Sequence, residues 1–349
     1  MQVRILADDL TGALDSAAAF RGEVPVFLDQ PGAAGPGVPV VVVATATRDV
    51  APATLPALLA PSVPWLATAD VPFKKIDSLL RGNTFAEVAF VARAGGFADV
   101  VVAPAFPAQG RTVRDGRLWI RQPGDAAAAE VGHMHVVEAL DAAGVPAAHV
   151  PDVRDDNDLE RLIERVLAAP GKRTLLCGSA GLAHAVAAAA GLAARSTGVP
   201  VAHVRGRVRV MTASRHPVLR SQWPRLAVVA GTLDLALDDL APAASLAAEA
   251  AAAHVAEQLR RLVAAVPRPD AVIVVGGDTL RAVCHACGVT ALMARPSLRS
   301  GWGRARFVGG LWHDVECHAR SGAFGDPDDL VALALQVVPG AAPTPEGFP

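Results

Sequence analysis

Lys74, Lys75, Asp77 and Arg81 fall within eight positions of the segment Lys74-Lys75-Ile76-Asp77-Ser78-Leu79-Leu80-Arg81-Gly82-Asn83. Phe73 and Ile76 punctuate these charges with apolar side chains, unlike a solvated charge run. Three fixed cations beside one carboxylate suit an anionic substrate that also carries hydroxyls. A guanidinium grips a carboxylate with two parallel hydrogen bonds, whereas an ammonium acts as a point charge. The competing reading is a surface loop with a local ion pair.

A second polar cluster lies at the start of the chain, where the apolar run Val3-Arg4-Ile5-Leu6-Ala7 ends in Asp8-Asp9-Leu10-Thr11-Gly12 and passes into an Ala-rich helical stretch. Ligands of open α/β sheets bind outside the carboxyl ends of the strands, where Asp8 and Asp9 stand. Successive side chains diverge, so one of the pair faces a given ligand atom. The other holds a neighbouring loop or caps the helix. A third cluster follows the apolar run Ala271–Val275 as Gly276-Gly277-Asp278-Thr279. Glycines between a strand and a helix let backbone amides approach an anion, and the helix N-terminus adds favourable potential. Thr279 offers a hydroxyl or a cap. Asp278 beside a phosphate requires an intervening cation or a side chain turned away. An ordinary tight turn is the alternative.

Further candidates are more equivocal. Arg111, after Gly110, serves either a substrate carboxylate or phosphate, or surface packing. Ser179 lies outside a G-x-S-x-G pattern and reads as a turn residue. Asp155 and Asp156 read as helix caps. Cys284 and Cys287 are spaced for one helical face and read as small buried hydrophobes, with Cys177 and Cys317 elsewhere. No second C-x-x-C completes a tetrahedral zinc set, so no metal ligands are assigned.

The elements that must position these groups are short apolar strands alternating with helical stretches. Strands are expected within Gly37 to Thr45, at Val100-Val101-Val102-Ala103, at Thr174-Leu175-Leu176-Cys177, at Val208 to Ala213 and at Ala271 to Val275. Helical spacing covers Val137 to Ala143, Leu159 to Ala168 and an Ala-rich stretch from Ala241 to Ala265. The alternation predicts an α/β fold of two α/β domains with largely parallel sheets and an interdomain cleft. The Gly- and Arg-rich stretch Arg195 to Arg209 marks the boundary, giving domains 1–205 and 206–349.

Composition narrows the function classes. The 349 residues suffice for two domains, and 52% hydrophobic with 19% charged residues supports a sizeable core. A net charge of −2 gives no electrostatic footprint for nucleic acid or a membrane surface. The first residues show no basic region followed by an apolar stretch and cleavage site, and no apolar run reaches bilayer-spanning length; a cytoplasmic location is expected. No G-x-x-x-x-G-K-[ST] loop is present, which excludes a P-loop enzyme. No G-x-G-x-x-G follows a strand, which disfavours a nicotinamide-dependent dehydrogenase.

Seven motifs in order resemble the four-carbon acid sugar kinase family. They are ADDLTGALDS, KKIDSLLRGN, PAFPAQGRT, CGSAGLA, ASRHPVLRSQ, VGGDT and RSGAFG, spanning Leu6 to about Leu330. The resemblance implies ATP-dependent phosphorylation of a hydroxyl on threonate, erythronate or a 3-oxo-tetronate, with ATP and Mg2+ as cofactors and the acid sugar as small-molecule partner. It implies an acid-sugar-binding first domain and a nucleotide-binding second domain. Asp8, Lys74, Asp77, Arg81 and Arg111 then contact substrate, with Arg81 gripping the carboxylate. Asp9 (or Asp8) and Lys75 (or Lys74) are expected to do the chemistry, as base and as phosphoryl stabiliser. Ser214, Gly276, Gly277, Asp278, Thr279 and Gly322 match the nucleotide side. Against the family pattern the chain is shortened between Gln122 and Asp152 and between Gln222 and Ala271. Leu79, Ala213, Leu219, Arg320 and Ala323 replace the usual Thr, Gly, Thr, Lys and Asn. The alternative implied by these departures is a catalytically weakened or inactive acid-sugar-binding or regulatory protein on the same scaffold. Homo-oligomerisation is left open.

Overall fold

The runs VVVVA at Val40–Ala44 and AVIVV at Ala271–Val275 are buried at every position, the mark of strands covered on both faces. In the computed structural model, which describes residues 1–32, 37–121, 125, 127–145, 148–169, 173–194, 206–243, 246–297, 301–323 and 325–338, each of these runs is an interior strand with a neighbouring strand on both sides. The chain divides into two units, Met1–Arg195 with Met293–Pro296, and Ser196–Leu292 with Ser297–Pro349. The boundary expected at 205/206 adjoins residues 195–205, which lie outside the described residues.

The first unit runs β1 (Val3–Ala7), α1 (Leu10–Ala17), β2 (Val24–Leu28), β3 (Val40–Ala44), α2 (Leu55–Leu59), α3 (Val63–Ala67), β4 (Val71–Lys75), α4 (Thr84–Ala94) and β5 (Asp99–Ala103). It continues through β6 (Arg111–Arg114), β7 (Arg117–Ile120), β8 (Ala129–His135), α5 (Val136–Ala142), β9 (Ala148–His149), α6 (Asp156–Ala168), β10 (Thr174–Gly178) and α7 (Ala180–Ala189). Its main sheet is parallel, in the order β2-β3-β1-β4-β10-β5-β9. Register decides where the chemistry sits. Ala44, Ala7, Lys75, Gly178 and Ala103 form one row of partners across five strands. Each is the last residue of its strand, so the segments that follow all emerge along one carboxyl rim. Strands β6, β7 and β8 form a separate antiparallel sheet.

The second unit holds β11 (Val208–Thr212), α8 (Pro217–Ala230), β12 (Leu235–Asp239), α9 (Ala248–Ala265), β13 (Ala271–Val275), α10 (Gly277–Cys287), the first two residues of β14 (Ala291–Arg295), β15 (Gly303–Val308), β16 (Glu316–Arg320) and α11 (Asp329–Val337), the rest of β14 being counted with the first unit. Strands β12, β11, β13 and β16 pair in parallel, with β15 antiparallel to β16. A second row, Asp239, Thr212, Val275 and Arg320, defines a second carboxyl rim. Val210, Leu219, Leu226, Ile273, Trp302 and Leu333 pack in the core beneath it.

The α/β class and the parallel strands agree with expectation. The Ala-rich helix is shorter than expected: α9 starts at Ala248, after an extended Ala247. Pro242 lies in the preceding stretch, where a ring without an N–H cannot continue a helix. Strand β12 and the antiparallel β6–β8 sheet were not expected. Among the described residues, no helix is long and apolar enough to cross a membrane.

Candidate functional site

The first rim concentrates charge because three strand ends deliver it there. Asp8 and Asp9 follow β1, Arg48 lies on the segment after β3, and Lys75 and Asp77 end and follow β4. Asp9 is the N-cap of α1: Oδ1 accepts from Gly12 N at 2.9 Å, and Oδ2 accepts from the Thr11 hydroxyl at 2.5 Å. Arg48 binds both neighbouring acids, with Nε 2.7 Å from Asp8 Oδ2 and Nη2 2.8 Å from Asp9 Oδ1. Its Nη2 also lies 3.7 Å from Asp77 Oδ1. Arg81 grips Asp77 in a two-pronged pair, Nε to Oδ2 and Nη2 to Oδ1, both at 2.7 Å. Asp77 Oδ2 further accepts from Leu79 N at 3.2 Å and Arg81 N at 3.1 Å.

These pairings set the protonation states. Burial pushes the Asp77 carboxyl up, but Arg81 and Arg48 hold it well below the usual carboxylate range. Burial likewise raises Asp9, and Arg48, Lys75 and the two hydrogen-bond donors bring it below its ordinary value. Arg48 is disfavoured by burial and yet held above its ordinary value by Asp9 and Asp8.

The two lysines have different fates, because adjacent strand residues face opposite sides of a sheet. Lys74 is wholly buried, its Nζ 2.6 Å from Glu87 Oε2 on α4. Burial raises the Glu87 carboxyl, and Lys74 opposes that shift. Lys75 turns to the α1 side, where its Nζ donates to Ile76 O at 2.7 Å. A Cβ placed on Gly12 would overlap Asp9 Oδ1 and come within 2.6 Å of Lys75 Nζ, so these two groups meet above the first turn of α1. Arg111, 4% exposed, donates from Nη1 to the Ser78 hydroxyl, and burial lowers its pKa to about 10.

The loop after β4 also secures Arg48. Asn83 N donates to Arg48 O at 2.8 Å, and Asn83 Nδ2 to Thr47 O and Val50 O at 2.9 and 2.8 Å. Ala46 and Leu80, in the two loops concerned, hold left-handed φ angles of 52° and 59°. Non-glycine residues in that region concentrate at functional sites.

The second rim gathers its own set. Gly276, at φ 113°, occupies the N-cap of α10, a backbone angle suited to glycine. Its N–H donates to Arg320 O at 2.8 Å. Thr279 Oγ1 accepts from Ala213 N at 3.1 Å, and Thr212 Oγ1 from Ser214 N at 3.0 Å. A Cβ on Gly322 would lie 2.5 Å from Ser214 Oγ, and one on Gly276 3.0 Å from Thr279 Oγ1. Ser214, Gly276, Thr279 and Gly322 therefore converge. Asp278, in the first turn of α10, lines, with Thr279, a cavity of about 400 Å³. Its walls are largely apolar, from Pro242, Leu246, Ala251, Ala252, Val255 and Ala282, with Arg215 at one edge.

Residues 3–133 match the sugar-binding N-terminal domain family, and residues 221–330 the nucleotide-binding C-terminal domain family. The D-threonate kinase of Bordetella bronchiseptica RB50 is 31% identical, over 96% of this chain and 97% of that protein. The chain belongs to the four-carbon acid sugar kinase family. A D-threonate kinase of Cupriavidus necator H16 is 34% identical over 50% of this chain and 45% of its own length. Solved structures from Salmonella typhimurium LT2 and Haemophilus influenzae share the fold. Their TM-scores are 0.67 and 0.65, at 20% and 17% identity. They cover 97% and 93% of this chain, and 99% and 98% of their own lengths.

In this sugar-acid kinase the expected first-rim residues divide into two groups. Asp9, Lys75, Asp77 and Arg111 line the rim itself, whereas Asp8 is buried and held by Arg48, and Lys74 is buried and held by Glu87. Arg81 was expected to grip substrate, and its fork is instead spent on Asp77. Arg48 was missed. The signal was available, since it stands shortly after the buried strand VVVVA, on the carboxyl side where ligands bind. The six residues expected on the nucleotide side all lie at the second rim. Ser179 caps α7, accepting from Gly181 N at 3.1 Å, and Asp155 caps α6, accepting from Asp158 N at 2.9 Å. The four cysteines are buried thiols, and burial pushes Cys287 up to about 12.

Proposed function

We propose that the protein transfers the γ-phosphoryl group of ATP to a hydroxyl of a four-carbon acid sugar, with D-threonate, named for its relatives, the first candidate. The observation that carries this reading is the second unit's cavity of about 400 Å³, apolar along its walls and bounded by Asp278 and Thr279 where β13 passes into α10. An adenine suits the apolar walls, and phosphates suit the amides at the start of α10. Asp278 and Thr279 supply oxygen ligands of the kind Mg2+ takes, and the ion when bound neutralises phosphate charge.

The first rim binds the acid. Lys75 presents an ammonium over α1 as a point charge for the transferred phosphoryl group, and Asp9 orients a substrate hydroxyl. Arg111 and Asp77 bracket Ser78, offering charge of both signs to a carboxylate and its neighbouring hydroxyls. Asp8, Lys74 and Arg81 act on substrate through what they hold, namely Arg48, Glu87 and Asp77. Retention of both rims favours catalysis over a binding-only role.

The test is ADP release with ATP, Mg2+ and a panel of threonate, erythronate and 3-oxo-tetronate isomers, beside thermal shifts for each ligand alone. Acid-dependent ADP release is expected with at least one isomer. Stabilisation by acid without ADP release from any isomer would overturn the kinase reading in favour of a binding protein.

A further inference from the structure

Helix α1 is buried along its length except for one stripe. Of residues 9–17, Asp9, Gly12 and Asp15 alone keep partial exposure, and a spacing of three puts them on one face. The Lys75 ammonium lies over the middle of that stripe, 2.6 Å from where a Gly12 Cβ would be. A helical side chain leans back over the preceding turn, so Asp15 leans toward Gly12 and this ammonium. The two acids at the ends of the stripe differ in one respect. Asp9 is occupied by the Thr11 hydroxyl, Gly12 N and Arg48. The Asp15 carboxylate makes no hydrogen bond among the described residues. The charged and titratable groups around it are Lys75 from β4, His184 from α7, Asp9 and Arg111 from β6. His184 is exposed beside Phe106, 6.5 Å between ring centroids.

We infer that Asp15 accepts the proton of the attacking substrate hydroxyl. The inference rests on the kinase reading above and deepens it. As the hydroxyl oxygen bonds to the γ-phosphorus, the bond from that phosphorus to the bridging oxygen of ADP breaks. The bonding pair leaves with ADP, and the hydroxyl proton passes to an Asp15 carboxylate oxygen and then to solvent. Asp9 is the poorer acceptor, because its fixed donors stabilise the charged form. Burial, by contrast, raises Asp15 above its ordinary value, against the opposing charges of Lys75 and His184, and a higher pKa favours proton capture near neutrality. Lys75, between the two acids, screens Asp15 from Asp9 and faces the phosphoryl group.

The experiment compares wild type with Asp15→Asn, measuring kcat and acid KM by ADP release across pH, with acid-induced thermal shift as the check on folding and binding. Asp15→Asn is expected to lower kcat by about 100-fold or more. Acid KM and the thermal shift stay within threefold and within about a degree of wild type. The wild-type kcat falls on the acidic side as Asp15 becomes protonated, and the variant loses that limb. Asp15→Ala, equally inactive, regains part of its kcat with added formate, which stands in for the missing carboxylate. A kcat within threefold of wild type overturns the inference. So does a loss of kcat matched by an equal loss of acid affinity without formate rescue, since Asp15 then only shapes the site. Failure of the kinase reading is distinguishable, because the wild-type protein would itself release no acid-dependent ADP.

Discussion

Gly82→Ala isolates how much the function depends on where the Arg48 backbone sits. Gly82 has φ 63°, and a Cβ there would overlap Arg48 O and lie 2.7 Å from Arg48 Cγ. Two costs follow. Placing a side chain in the left-handed region costs about 1 kcal/mol. Relieving the overlap requires Arg48 O to move by about 1 Å, and overpacking of that kind costs about 1–3 kcal/mol. The carbonyl cannot move alone, because it accepts from Asn83 N at 2.8 Å and the same residue's guanidinium spans Asp8 and Asp9. A displacement of about 1 Å in a positioning group is sufficient for a loss of about 100-fold in rate. The control is Gly96→Ala, with φ 65° and nothing within 4 Å of the added Cβ. It carries the backbone cost without the overlap. Urea melts should show both variants destabilised, Gly82→Ala the more. ADP-release assays should show kcat/KM for the acid down about 100-fold in Gly82→Ala and within twofold of wild type in Gly96→Ala. A kcat/KM for Gly82→Ala within threefold of the Gly96→Ala value would refute the claim that the loop after β4 positions Arg48 for function.

Three further outcomes follow from the second unit. Thr279→Val removes the acceptor for Ala213 N at 3.1 Å and leaves a backbone donor unsatisfied. Nucleotide KM should rise about tenfold while acid-induced stabilisation is unchanged; an unaltered nucleotide KM would contradict the role. Ala252→Trp, at an exposed wall of the cavity, should abolish the ATP-induced thermal shift while leaving the protein folded, and an undiminished shift would place the nucleotide elsewhere. Glu316 is raised by burial, but His318 and Arg304 bring it from 4.5 down to about 2. A depressed carboxylate stabilises above its unfolded value and loses that contribution as pH falls through the folded one. Wild-type stability should therefore decline from about pH 4.5 toward 2 more steeply than that of Glu316→Gln; parallel declines would dismiss the pair as a source of acid sensitivity.

Parts of this architecture were legible in the chain because they are local. Strand ends, the Gly-Gly turn and the paired acids announce themselves by apolar runs that stop at polar residues. The hairpin joining β6 and β7 was also legible, since Asp115 and Gly116 hold φ 48° and 67° and an Asp-Gly pair is a strong hairpin signal. Its flanks obscure it, since RTVR carries charge at both ends and RLWI begins with Arg. Strand β12 is harder to see, as LALDD is only partly buried and ends in two acids.

Charge partners were the least legible, because they depend on register. Nothing in the order of residues says that Arg81 closes on Asp77 four positions back rather than on a ligand, or that Arg48 crosses to Asp8 and Asp9. Once the row Ala44, Ala7, Lys75 is fixed, Arg48 comes within reach of Asp8 and Asp9, and the arithmetic of the rim changes. Arg48 and Arg81 are outnumbered by Asp8, Asp9 and Asp77, two guanidiniums against three carboxylates, so attraction for an anionic substrate falls to Lys75 and Arg111. The buried Lys74 is likewise matched by Glu87. A rim so paired holds its geometry before substrate arrives and spends little reorganisation at the moment of reaction, which is the condition under which fixed charges accelerate transfer most. It also explains why the open stripe Asp9, Gly12 and Asp15 matters more than the number of charges nearby. On a surface where the other acids are already paired, an acid without a hydrogen-bond partner is the one left to exchange a proton.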